Sequence, residues 1–210
     1  MESNGSLAPQ DALPHAPSQK TIRRLLESSG ALKQGHFVLS SGRHSGSYVQ
    51  CALLLREPAQ ARQVGAWLAA MLVQHRPESV VSPALGAVLI GYEVATALGV
   101  RFQFTERGED GRMALRRGFH LESGERVVVI EDVVTTGKST AEVIDLVEGQ
   151  AGRVIGVGSI INRSERDDIL SRPHAALTRL RFETFDSSDC PLCAAGLPVE
   201  KPGSRMRSLA

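Results

Sequence analysis

A chain of 210 residues with 42% hydrophobic residues is long enough for one sizeable core and short for more than one ordinary domain. Lys and Arg total 24 against 23 Asp and Glu, a formal net charge of +1, so no overall field draws the chain to nucleic acid or to an anionic membrane. No apolar run reaches the roughly 18 residues of a membrane span, no signal-peptide pattern opens the sequence, and three cysteines cannot form a paired framework, which together predict a cytoplasmic protein.

Residues 1–17 are polar and dotted with proline, and they read as a disordered tail. One domain is expected over 18–210, with about 18–60 and 185–205 forming a smaller hood. A helix is predicted over about 18–33, with Ile22, Leu25, Leu26 and Ser29 along one stripe. The segment HFVLSSGRHSGSYVQCALLL, starting at His36, predicts two short strands joined by a Ser/Gly-rich turn at 40–47. Helical spacing follows at Ala61, Val64, Leu68, Met71 and Leu72.

From residue 79 the pattern alternates. The strand SVVS passes through Pro83–Gly86 into the helix AVLIGYEVATAL. The strand VRFQFTE enters a charged, glycine-containing stretch and returns as MALRRGFHL. RVVVIED leads through VVTTGKS into a helix of about 140–150 that Gly152 closes, and RVIGVGSIIN supplies another strand. Alternation of this kind predicts a three-layer α/β fold with a central parallel sheet covered on both faces.

The chemistry concentrates in VVVIEDVVTTGKST, residues 127–140. Ligands of open parallel sheets collect where strands end and loops enter the next helix. There, Thr135, Thr136, Gly137, Lys138 and Ser139 offer amides, hydroxyls and a helix N-terminus to one small volume, which is the composition of a phosphate cradle. Glu131 and Asp132 are poor phosphate ligands but good acceptors for vicinal hydroxyls, and they are able to hold a hydrated Mg²⁺. The pairing predicts a ribose 5-phosphate site. The Walker spacing is absent, and GVGSII at 156–161 is no dinucleotide fingerprint. The bland alternative is a capped helix after a strand, with two solvated carboxylates.

The stretch VVVIEDVVTTGKS resembles the phosphoribosyl-pyrophosphate motif of type I phosphoribosyltransferases: an apolar strand, two acidic residues, two apolar residues, then T-T-G-x-S. Within that superfamily FVLSSGRHSGSYVQC, residues 37–51, resembles the N-terminal signature of the orotate phosphoribosyltransferase family. SPALGAVLIGYEVATALG resembles its pyrophosphate loop, FTERGEDGRMALRRGF its lid hairpin, and INRSE a strand end bearing an orotate-contacting arginine. The likeness spans about residues 20–205.

The resemblance implies transfer of a phosphoribosyl group from phosphoribosyl pyrophosphate to orotate, with Mg²⁺ as cofactor held mainly through the substrate. Asp132 would meet it through water, and no direct side-chain ligand is assigned. It implies that Glu131 and Asp132 meet the ribose hydroxyls and that Thr135 to Ser139 hold the 5-phosphate. Ala84, Leu85 and Gly86 would present amides to the pyrophosphate, Ser40 and Tyr48 would flank the orotate ring, and Arg163 would pair with an orotate carbonyl or carboxylate. Arg107, Arg112, Arg116 and Arg117 would belong to a mobile basic lid, and Arg107, Arg112 and Asp132 would be the catalytic residues, the arginines as charge on the pyrophosphate. It also implies a homodimer whose lids cross between active sites. Nucleic-acid and membrane partners are not expected.

Departures from the family pattern are specific. Many members carry lysines in the lid, at the position of Ser40 and at that of Leu85; this lid has arginines, which stay protonated. C-x-x-C at Cys190 and Cys193 is half a zinc site or a redox pair, but no histidine stands at zinc-finger spacing, so a structural role or slow oxidation is expected and no metal ligand is assigned. Two other readings stay open: a phosphoribosyltransferase for another base, and a non-catalytic sensor of phosphoribosyl pyrophosphate.

Overall fold

The computed structural model describes residues 13–202. The first twelve residues of the expected tail therefore lie outside the described residues, as does the end of the chain from 203.

Helix α1 (Gln19–Ser28) starts where Ser18 accepts the Thr21 N–H. It is shorter than the predicted 18–33, because Gly30 takes φ +72° and turns the chain at once into a strand. Strands β1 (Leu32–Val38) and β2 (His44–Val49) form an antiparallel hairpin, with the turn confined to 39–43. CALLL, expected to prolong the second strand, instead forms the short helix α2 (Cys51–Leu55), which buries Leu54 and Leu55. Five apolar residues in a row carry no period, so only packing decides between strand and helix. Helix α3 (Pro58–Leu72) opens on proline, whose missing N–H costs nothing in a first turn.

Strand β3 (Ser79–Pro83), helix α4 (Val88–Leu98) and strand β4 (Arg101–Arg107) follow, and β5 (Met113–Leu115) folds back on β4. Strand β6 (Arg126–Val134) runs two residues past the carboxylates, and α5 (Lys138–Gly149) begins directly after the bend at 135–137. Ala151, in the left-handed region, turns the chain after α5 one residue before the expected Gly152. Strands β7 (Arg153–Asn162), β8 (Asp168–Ile169) and β9 (Arg172–Arg179) complete the main sheet, and β10 (Thr184–Phe185) returns to β2. The last short helix is α6 (Pro191–Ala194).

The main sheet has seven strands in the order β5-β4-β3-β6-β7-β9-β8. Its five inner strands are parallel, as predicted, while β5 and β8 pair antiparallel at the two edges. Successive residues of β6 divide between two cores. Val128 and Ile130 pack in the cluster that includes α1 to α4, and Val127 and Val129 in the cluster under α5. Each fully buried aliphatic side chain contributes about 1.5–3 kcal/mol, so these layers fix the level at which β6 delivers its carboxyl end. The hood is a separate three-stranded sheet, β1-β2-β10. No helix among the described residues is long and apolar enough to cross a membrane.

Candidate active site

The carboxyl ends of β3 and β6 converge. At the β3–α4 loop the Ala84–Leu85 peptide is cis, Leu85 is exposed, and Gly86 lies against Asp132. A Cβ on Gly86 would stand 2.9 Å from Asp132 Oδ2, so only glycine lets the loop approach the carboxylate this closely. Two segments 46 positions apart thus share one edge.

Glu131 is 8% exposed and Asp132 half-buried. Burial pushes the Glu131 carboxyl well above its ordinary range, and the neighbouring Asp132 charge raises it further. Burial also raises Asp132, partly offset by the Val133 N–H, which donates to Oδ1 at 2.8 Å. Two carboxyls held this way resist ionising together, and hydroxyl donors or a cation would relieve them.

Beyond them, Gly137 takes φ +76° as the N-cap of α5, with Thr135, Thr136 and Lys138 exposed and Ser139 half-buried. The Lys138 N–H donates to Thr136 Oγ1 at 3.3 Å. No N-cap side chain bonds this helix and its first turn holds no acidic residue, so apart from the long Lys138 contact its amides and dipole are open to an incoming anion. The structure therefore brings together Glu131, Asp132, the 135–139 cradle and Ala84–Gly86.

Tyr48 and Arg163 come to the same place from the hood and from the end of β7. The Tyr48 hydroxyl donates to Gln50 Oε1 at 3.0 Å; its pKa is raised by burial and then by Asp132, with Arg163 acting in the opposite sense. Arg163 is half-buried, its Cζ stands 4.5 Å from the Phe182 ring centre, and its Nε is buried without a partner. Burial lowers its pKa, with Tyr48 opposing. An aromatic face orients this guanidinium and leaves its donors free for a planar anion. Phe182 is a residue the sequence did not flag, because an isolated aromatic between two strands carries no signal. Ser40 is exposed in the hairpin turn.

The lid residues divide. Arg107 is already engaged: it pairs with Glu142 of α5 at 2.8 Å and donates to the Gly111 carbonyl at 2.7 Å. Arg117 pairs with Glu106 and stands over Phe104. Arg112 and Arg116 are exposed and form no ion pair among the described residues. A basic cleft lined by Arg126, Arg153 and Arg172 sits at the opposite, amino ends of the strands and includes none of the groups above.

An uncapped helix N-terminus on one flank and buried carboxylate oxygens at the centre give this edge the chemistry suited to a sugar phosphate. Residues 53–171, more than half the chain, match the phosphoribosyl transferase domain. The orotate phosphoribosyltransferase of Thermotoga maritima is 50% identical over 184 residues, covering 88% of this chain and 98% of that protein. That of Desulforamulus reducens is 45% identical over 188 residues, with 90% and 98% covered. In fold, the crystal structure of orotate phosphoribosyltransferase from Aeropyrum pernix matches with a TM-score of 0.65 at 24% identity, covering 76% of this chain and 93% of that one. The chain belongs to the orotate phosphoribosyltransferase family.

Proposed function

We propose that this chain transfers the phosphoribosyl group of 5-phosphoribosyl 1-pyrophosphate to orotate, giving orotidine 5′-monophosphate and pyrophosphate. The observation that carries the reading is the closure of Gly86 on Asp132, which sets a loop suited to pyrophosphate against a carboxylate suited to ribose. In this reading the α5 N-terminus and residues 135–139 take the 5-phosphate, and Glu131 and Asp132 accept the ribose hydroxyls. The amides of Ala84, Leu85 and Gly86 face the pyrophosphate. Tyr48, Ser40 and Arg163 hold orotate, with Phe182 fixing the guanidinium plane.

A ring nitrogen of orotate bonds to the ribose carbon as the bond from that carbon to a pyrophosphate oxygen breaks, and the proton of that nitrogen passes to the departing pyrophosphate or to solvent. Positive charge grows on the sugar and negative charge on the leaving group. The protein's share is to hold both substrates in line, to place charge where charge develops, and to keep water out. The oxygen-only character of the Glu131–Asp132 pair, with both carboxyls raised, fits a hard hydrated cation. Mg²⁺, when bound with the substrate, neutralises pyrophosphate charge. Arg112 and Arg116, without ion-pair partners on the hairpin, are the lid charges best free to reach the leaving group.

Leu89 and Tyr92, three positions apart, expose one strip of α4, and Leu85 is exposed in the loop just before it. That strip supports association with a second copy next to the pyrophosphate loop. A cytoplasmic setting fits the three free cysteines.

The test is acceptor choice. Orotate, adenine and uracil are each offered with phosphoribosyl pyrophosphate and Mg²⁺, and nucleotide products are identified by mass. Orotidine 5′-monophosphate as the dominant product supports the reading; turnover of another base in preference to orotate overturns it.

A further inference from the structure

Away from the carboxyl edge, the hood gathers four side chains that the phosphoribosyl chemistry does not use. His36 and His44 come from β1 and β2, and Cys190 and Cys193 flank the start of α6. His44 pairs across the hairpin with Val38, and His36 stands two residues before Val38, so both imidazoles share one face. The carboxy-terminal segment reaches them by pairing Phe185 with His44 and by bonding Glu200 to both sides of His36–Val38. Both histidines and Cys190 are buried, and one donor atom from each of the four residues lies within 4.8 Å of all the others.

Hydrogen bonding alone leaves this cluster badly satisfied. His36 Nδ1 lies 2.9 Å from the Leu197 carbonyl, which only accepts, so Nδ1 carries the proton and Nε2 of the neutral ring presents a lone pair. Three groups converge on that one lone pair: His44 Nδ1 at 2.8 Å, Cys190 Sγ at 3.6 Å and Cys193 Sγ at 3.6 Å. Cys193 Sγ is also 3.3 Å from His44 Nδ1. Three close groups therefore crowd around a nitrogen that has one lone pair to share. Two imidazole nitrogens and two thiol sulfurs gathered within 4.8 Å of one another supply the four donor atoms of a tetrahedral metal site.

We propose that His36 Nε2, His44 Nδ1, Cys190 Sγ and Cys193 Sγ form a structural zinc site that staples the carboxy-terminal segment to the hood hairpin. A tetrahedral site with zinc–nitrogen bonds near 2.0–2.1 Å and zinc–sulfur bonds near 2.3 Å has nitrogen–sulfur edges of about 3.6 Å and a nitrogen–nitrogen edge of about 3.3 Å. The two separations of 3.6 Å from His36 Nε2 match those edges; the third, 3.3 Å, needs to open by about 0.3 Å and the imidazole pair by about 0.5 Å. Two thiolates and two imidazoles select zinc over magnesium or calcium, and four protein donors leave no open position for catalysis. The Leu197 carbonyl is the outer partner that fixes the His36 tautomer. Binding releases both thiol protons, so the thiols must be reduced. The hood gains from such a staple because a sheet of three short strands has little core of its own.

The test begins with metal analysis of tag-free, full-length protein expressed with zinc in the medium and purified under reducing conditions. The wild type is expected to hold about one zinc per chain, and Cys190→Ser/Cys193→Ser to lose it. Should that variant fail to fold, cobalt(II) titration of metal-stripped wild type decides: a thiolate charge-transfer band and the strong visible absorption of tetrahedral cobalt, both reversed by zinc, are expected. His36→Ala should weaken that band. Zinc-free wild type with no cobalt–thiolate band would overturn the proposal. So would zinc retained by the double cysteine variant, or a Cys190–Cys193 disulfide with no metal.

Discussion

The β6–α5 loop and the hairpin segment at 104–119 both leave the carboxyl edge of the main sheet, yet they are built on opposite terms. The loop emerges from a strand buried on both faces, its carboxylates are largely withdrawn from water, and Gly86 closes on it from the neighbouring strand. The hairpin is an edge structure of exposed arginines, two of them engaged with Glu142 and Glu106. Under the proposed function, the difference separates groups placed before substrate arrives from lid groups that would close on it. Preorganised charge loses most when it is altered, because nothing nearby rearranges to replace it; a mobile charge is partly replaceable.

That contrast orders the expected effects. Asp132→Asn removes one of two preplaced carboxylates and should lower kcat/KM by about 10²–10³-fold, measured in steady state. Gly86→Ala forces a methyl against Asp132 and shifts the loop; a loss of about 10²-fold is expected with little change in melting temperature. Arg163→Ala should raise KM for orotate about 10–100-fold while leaving that for phosphoribosyl pyrophosphate nearly unchanged. Arg112→Ala should cost only about tenfold in kcat, with Arg112→Lys recovering most of it, since a lid contributes charge rather than fixed geometry. An Arg107→Ala loss exceeding that of Arg112→Ala would reverse the assignment within the lid.

The smallest effect concerns stability. Glu131 and Asp132 have carboxyls raised in the fold, so their favourable contribution is present below the ordinary carboxylate range and is lost as pH rises through the raised values. Substrate-free protein should therefore melt lower as pH climbs from acid toward neutral. Glu131→Gln should flatten that slope and melt about 2–4 °C higher at neutral pH, while losing activity. An unchanged slope in thermal scans across pH would contradict the placement of the pair.

What could be read directly from the residues follows the same division. The cradle is contiguous: strand, carboxylates, hydroxyls and helix start all fall within 127–140, so order and spacing carry it. The strand–helix alternation from 79 onward was legible for the same local reason. The contact of Gly86 with Asp132, the stacking of Arg163 on Phe182 and the helical form of CALLL depend on tertiary packing, and no local period encodes them. The hood cluster is the clearest case. Its cysteines lie more than 140 positions from its histidines, so a search for zinc-finger spacing passed over ligands that only the return of β10 to β2 brings together.

The most direct measurement is loss of orotate absorbance with time in the presence of phosphoribosyl pyrophosphate and Mg²⁺, comparing wild type with Asp132→Asn. The account predicts donor-dependent loss of orotate by wild type and near silence from the variant, with both proteins folded. Equal rates from the two proteins, or no turnover by wild type despite saturable donor binding, would contradict it.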